Sequence, residues 1–171
     1  MKIAFRMGVV VLSAAVLQRG LISQLPIFGV RGDILVLLAI VGGLTLGPDR
    51  GAIVGFACGL SMDLLLQSPL GLYALVYCLI GFVAGRYQLS VTRTSRVRLM
   101  VTVAFASISC YGLLVVVGWV LGQRNMLTER LPLILVVVAL INAVLAPLAV
   151  IVTRWAWNER VPAGLGASYG H

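Results

Sequence analysis

Five acidic side chains, one histidine and three cysteines are what this chain of 171 residues offers to chemistry. A paired-carboxylate site would need two of Asp33, Asp49, Asp63, Glu129 and Glu159. Only Asp33 and Asp63 fall on the same expected side and depth. Asp33 stands just before an apolar run, where capping a helix and complementing its dipole is the preferred reading. The one histidine, His171, is the last residue, so no triad or metal site can be built on imidazole. Cys58, Cys78 and Cys110 sit singly inside apolar segments without a CxxC pair, which argues against a metal or disulfide framework. The sequence holds no Walker phosphate loop, no HExxH and no GxSxG. The reading is a non-enzyme that requires no cofactor and no metal.

The elements that must hold these residues are membrane segments. Hydrophobic residues make up 61% of the chain and charged residues 11%, and the mean hydropathy is +1.09. Several apolar runs approach the length of a membrane span. In a soluble protein the net charge of +8 would point to nucleic acid. Here the basic residues flank apolar runs, so membrane topology and contact with anionic lipid explain them, and no nucleic-acid partner is expected.

One stretch organises the chain, GAIVGFACGLSMDLLLQSPLGLYAL, residues 51–75. Gly51, Gly55 and Gly59 recur every fourth residue, and Asp63 continues the row. A step of four residues drifts only about 40° around a helix, so the row forms a slowly winding stripe. Such a stripe lets another helix backbone approach closely, inside one protein or across to a partner. Gly81 with Gly85 and Gly118 with Gly122 repeat the spacing. Ser68-Pro69 reads as an N-cap followed by proline at the first helical position, and with Gly71 marks a structural turn.

In order, the expected spans cover about residues 3–23, 33–47, 51–66, 69–86, 99–122 and 132–153. No small-x-small cleavage site follows the apolar run after Lys2 and Arg6, so the first span is retained. The second is only about 22 Å long as a helix, either a short span or half of a re-entrant hairpin. Pro48-Asp49-Arg50 reads as a tight charged turn. Pro147 should kink the sixth span, and Asn142 either bonds to the loosened backbone, the preferred reading, or to a neighbouring helix. Residues 1–157 then form one six-helix transmembrane domain, and residues 158–171 a flexible cytoplasmic tail.

With six spans both termini share a side. Lys2, Arg6, Arg50, Arg86, Arg93, Arg96, Arg98, Arg154 and Arg160 lie on it, and Arg19, Arg31, Arg124 and Arg130 on the other. The positive-inside rule puts the termini in the cytoplasm and Arg19, Arg31, Asp33 and Asp63 toward the outer face. An unpaired charge inside the bilayer costs about 2–3 kcal/mol on insertion scales, so Asp63 is expected to pair with Arg19 or Arg31, or else to reach headgroup water.

The first half resembles the MreD family of bacterial rod-shape-determining membrane proteins. The resemblance rests on LPIFGVRGDILVLLAI (residues 25–40), the run from Gly47 to Leu75 and GFVAGR (residues 81–86). Its most specific part is the DLL-x-x-SPLG-x-x-AL element from Asp63 to Leu75. Residues 99–153 add apolar length but little identity. The resemblance implies an all-α, polytopic inner-membrane protein of six helices, with a fold similar to the substrate-binding subunit of energy-coupling-factor transporters. It implies a non-enzymatic scaffold of the wall-elongation complex, binding MreC and through it MreB, RodA and a class B penicillin-binding protein. A substrate-binding subunit of a vitamin transporter is the alternative, with Asp33, Asp63 and Arg19 lining its pocket. Neither the helix that faces MreC nor the oligomeric state follows from the sequence.

Overall fold

The structure is a computed structural model that describes residues 2–18, 20, 33–66, 71–89, 96–122 and 131–157. Among these residues the chain is all-helical. The helices are α1 (Lys2–Leu17), α2 (Ile34–Leu46), α3 (Pro48–Leu65), α4 (Leu72–Leu89), α5 (Arg96–Val120) and α6 (Leu131–Trp157). Two of them are long and apolar enough to cross a membrane, over Arg96–Val120 and Leu135–Ala156. Arg19, Arg31, Ser68, Pro69 and the tail at 158–171 lie outside the described residues.

The shortest helix is the centre of the molecule. α2 has 13 residues, apolar around its whole circumference except for Thr45, and 11 of them are buried. A helix apolar on every face has no side to give to water and belongs inside a bundle. It touches all five other helices. Thr45 satisfies its hydroxyl by donating to the Val41 carbonyl at 2.7 Å.

A single residue separates α2 from α3. Gly47 adopts φ +88, a left-handed conformation that suits glycine, and its N–H closes α2 on the Gly43 carbonyl at 3.1 Å. Its own carbonyl accepts from the Gly51 N–H at 2.9 Å, which opens α3. Pro48-Asp49-Arg50 is therefore the first turn of α3 and not a loop, with proline at a position that needs no amide donor. The fourth helix starts at Leu72, three residues later than expected, because Gly71 at φ +100 stands at its entrance. Arg96 and Arg98, expected in a polar link, belong to the first turn of α5. α6 runs through Pro147 as one helix.

Helices α2, α3 and α4 form a tight block. A Cβ built on Gly51 would lie 2.5 Å from the Gly43 Cα and 2.6 Å from the Gly81 carbonyl oxygen. On Gly55 it would strike the Tyr77 carbonyl, on Gly59 the backbone of Tyr73 and Ala74, and on Gly85 the backbone of Gly47 and Pro48. Backbone therefore lies on backbone along the α3–α4 seam, with α2 in contact at one end.

The second pair, α5 and α6, is joined differently. The buried positions of α6 include Ala139, Asn142, Ala146, Ala149, Thr153 and Ala156, alternating three and four residues apart, a seam of small side chains. Asn142 donates from Nδ2 to Ser107 Oγ of α5 at 3.0 Å. The amide thus bonds to a neighbouring helix rather than to backbone near Pro147. At the other end Arg6 of α1 lies over the Trp155 ring, 5.9 Å from its centroid.

The packing is inverted relative to a water-soluble domain. Leu12, Ile53, Phe56, Leu64, Phe105 and Leu148 are among many large apolar side chains that face outward. Asp33, Asp63, Ser107, Asn142 and Thr153 are buried. An exterior this apolar suits a hydrocarbon solvent, where polar groups must find partners inside the protein.

Candidate functional site

Two buried carboxylates at one end of the bundle, Asp33 and Asp63, each cap the start of a helix. Asp33 is the N-cap of α2. Its Oδ1 accepts from the N–H groups of Leu35 at 3.1 Å and Val36 at 3.2 Å, two donors that a helix start leaves without intrahelical partners. The same oxygen accepts from Gln18 Nε2 at 3.0 Å, and Gln18 Oε1 in turn accepts from the Ile34 N–H at 2.9 Å. Oδ2 accepts from the Tyr77 hydroxyl at 2.6 Å and the Tyr111 hydroxyl at 3.3 Å. One carboxylate therefore joins four helical segments: the end of α1, the start of α2, the first half of α4 and the middle of α5.

Aromatic and sulfur groups surround this carboxylate. Tyr73 packs edge-on to Tyr77, with ring centroids 5.8 Å apart and planes at 86°. Met62 Sδ stands 4.0 Å from Gln18 Nε2. Cys58 and Cys110 are fully buried. Five donors occupy the carboxylate, which leaves it saturated by its own chain.

Asp63 performs the same task for α4. Its Oδ2 accepts from the N–H groups of Gly71 and Ala74, each at 3.0 Å, and its Oδ1 from the Tyr73 N–H at 3.1 Å. The cap comes from eight residues upstream of Gly71, on the preceding helix, rather than from a residue next to the helix start. The negative charge also sits at the positive end of α4. The described partners of Asp63 are thus backbone amides. The expected ion partners, Arg19 and Arg31, lie outside the described residues, as do Ser68 and Pro69 of the expected cap.

The predicted glycines divide into two groups. Gly51, Gly55, Gly59, Gly81 and Gly85 all lie in the α2–α4 block, where they face other helices of the same chain. Gly118 is buried on α5. Gly122 corrects the expectation of a packing pair. It ends α5 at φ +81, its N–H bonds to the Trp119 carbonyl at 3.0 Å, and a Cβ there would meet nothing. The i, i+4 spacing of 118 and 122 thus reflects a helix stop and not a seam.

Gln18, Tyr77 and Tyr111 are the members of this site that sequence reasoning missed. Each is a lone amphipathic residue at or near an apolar helix, and separations of 15, 44 and 78 residues from Asp33 leave no local pattern. The available signal was energetic: a buried carboxylate demands donors, and these are among the few side chains that can donate.

Among the described residues no group of three or more His, Cys, Asp or Glu side chains could hold a metal ion. The arrangement instead holds helices together, with each carboxylate used as a helix cap. No curated protein and no solved structure matches the chain. The family described as rod shape-determining protein MreD matches residues 1–155, a span that takes in all six helices except the last two residues of α6, and the chain belongs to that family.

Proposed function

We propose that this member of the family acts as a non-enzymatic membrane scaffold of the cell-wall elongation complex. It binds MreC, and through it MreB, RodA and a class B penicillin-binding protein, to support lateral peptidoglycan synthesis. Membership of a rod-shape-determining family supports the role. The observation that carries the scaffold reading is the saturation of the buried carboxylates. Asp33 and Asp63 accept eight described hydrogen bonds from the chain itself, which makes them architecture rather than a reaction centre. The transporter-subunit alternative has no support in the family match, and a carboxylate with five internal donors is a poor ligand anchor.

All six helices span the inner membrane in this reading, the short α2 within the bundle. Arg6, Arg50, Arg86, Arg96, Arg98 and Arg154 lie at the end of the bundle opposite Asp33 and Asp63. The positive-inside rule makes that end cytoplasmic, with the arginines at the level of anionic headgroups.

The test is crosslinking and pull-down of tagged protein from its native membrane, read by mass spectrometry. Recovery of MreC together with wall-elongation enzymes is expected. Recovery of an ATPase pair with its membrane coupling subunit, in place of MreC, would overturn the scaffold reading.

A further inference from the structure

At the end of the bundle away from the buried carboxylates, α1 and α6 share a contact between a cation and a ring. Arg6 of α1 lies over the Trp155 ring of α6, 5.9 Å from its centroid. Both side chains are exposed, Trp155 at 65%. The guanidinium therefore uses one face on the ring and keeps N–H donors for a partner outside the protein. Arg154, the residue before Trp155, adds a second positive charge at this level. Among the described residues Asp49 of α3 is the one acid at this end, and neither Arg6 nor Arg154 has an ion pair.

From the ring toward the middle of the bundle, this face of α6 is apolar. Ile151, Leu148 and Val144 precede Trp155 by four, seven and eleven residues, which sets all four side chains on one face of the helix. All four are exposed, the three aliphatic ones at 64%, 59% and 70%. The strip from Trp155 to Val144 is about 16 Å long, and one leaflet of the hydrocarbon core is about 15 Å deep. A basic head above an apolar strip one leaflet long matches an anionic amphiphile. A free phosphate would use the cation alone, and an acidic peptide would leave the strip uncovered. We propose that Arg6, Trp155 and this strip bind one anionic phospholipid, with its phosphodiester on the Arg6 guanidinium and an acyl chain along Ile151, Leu148 and Val144. Such binding needs neither MreC nor the wall enzymes, so it stands apart from the scaffold reading.

The test titrates the full chain, purified in detergent, with dioleoyl phosphatidylglycerol or dioleoyl phosphatidylcholine and reads bound lipid by native mass spectrometry. The parent is expected to retain one phosphatidylglycerol in preference to phosphatidylcholine. Arg6→Gln should weaken that binding about fivefold, the effect of one cation at a headgroup. Arg6→Lys keeps the charge and should bind as the parent does, which separates loss of the site from loss of the fold. Arg96 is exposed at the same end, on α5. Arg96→Gln removes the same charge away from the ring and should leave the affinity unchanged. Equal losses in Arg6→Gln and Arg96→Gln would overturn the site in favour of a diffuse positive field. Equal retention of the two lipids by the parent would overturn it as well. So would displacement of phosphatidylglycerol by excess inorganic phosphate, which would mean a site for the free anion.

Discussion

Asp63 shows that a buried acid can be answered by main-chain groups, since its partners among the described residues are backbone amides. An acid in an apolar run invites an arginine, yet three backbone amides at the start of α4 take its two oxygens. Charge-assisted bonds to such amides each contribute about 1.5–3 kcal/mol, and stranding the donors costs comparable amounts. Asp63→Ala is therefore expected to lower stability by roughly 3 kcal/mol or more, measured by thermal unfolding in detergent. Asp63→Asn retains one acceptor oxygen and should fall between alanine and the parent. Arg19→Ala should cost less than either. A loss in Arg19→Ala equal to that in Asp63→Ala would mean that an ion pair, and not the backbone cap, dominates. Asp33 was legible as a cap because it stands beside the helix it caps, while Tyr77 and Tyr111 were not, because only the fold brings them to its other oxygen.

At the scale of elements, the glycine row was legible because helical geometry alone puts Gly51, Gly55 and Gly59 on one stripe. The surface that fills the stripe was not. It proved to be α4 of the same chain, carbonyl against Cα. A methyl group added at Gly55 has to displace the Tyr77 main chain, so Gly55→Ala should destabilise by about 1–3 kcal/mol, the usual cost of overpacking. Gly112→Ala faces open space on α5 and should be neutral or slightly stabilising, since alanine favours helix. Comparing folded yield and thermal midpoint for the two variants checks the seam directly. Equal losses at both positions would mean that helix propensity, not the seam, sets the effect. Gly122 has the same spacing from Gly118 but a different cause, since a left-handed residue ends the helix there.

For the whole molecule, the described arginines Arg6, Arg50, Arg86, Arg96, Arg98 and Arg154 fall at helix ends on one side of the bundle, and the buried carboxylates Asp33 and Asp63 on the other. A fluorescent protein fused after His171 should be bright in cells, because green fluorescent proteins mature in the cytoplasm and not after export through the general secretory route. A dark fusion with an active periplasmic reporter at the same site would reverse the topology. The sequence by itself determined the solvent and the helical class. An apolar chain broken by charged and glycine-proline links has little choice but to hydrogen-bond its backbone within helices. It also carried the family resemblance, in residues 25–40, 47–75 and 81–86. Only the tertiary structure decided that the short α2 is the buried centre, that the glycines face one another's helices, and that Asp33 joins four segments. Period and composition fix which faces are apolar. They do not fix which faces meet, because that depends on contacts between residues up to 78 positions apart.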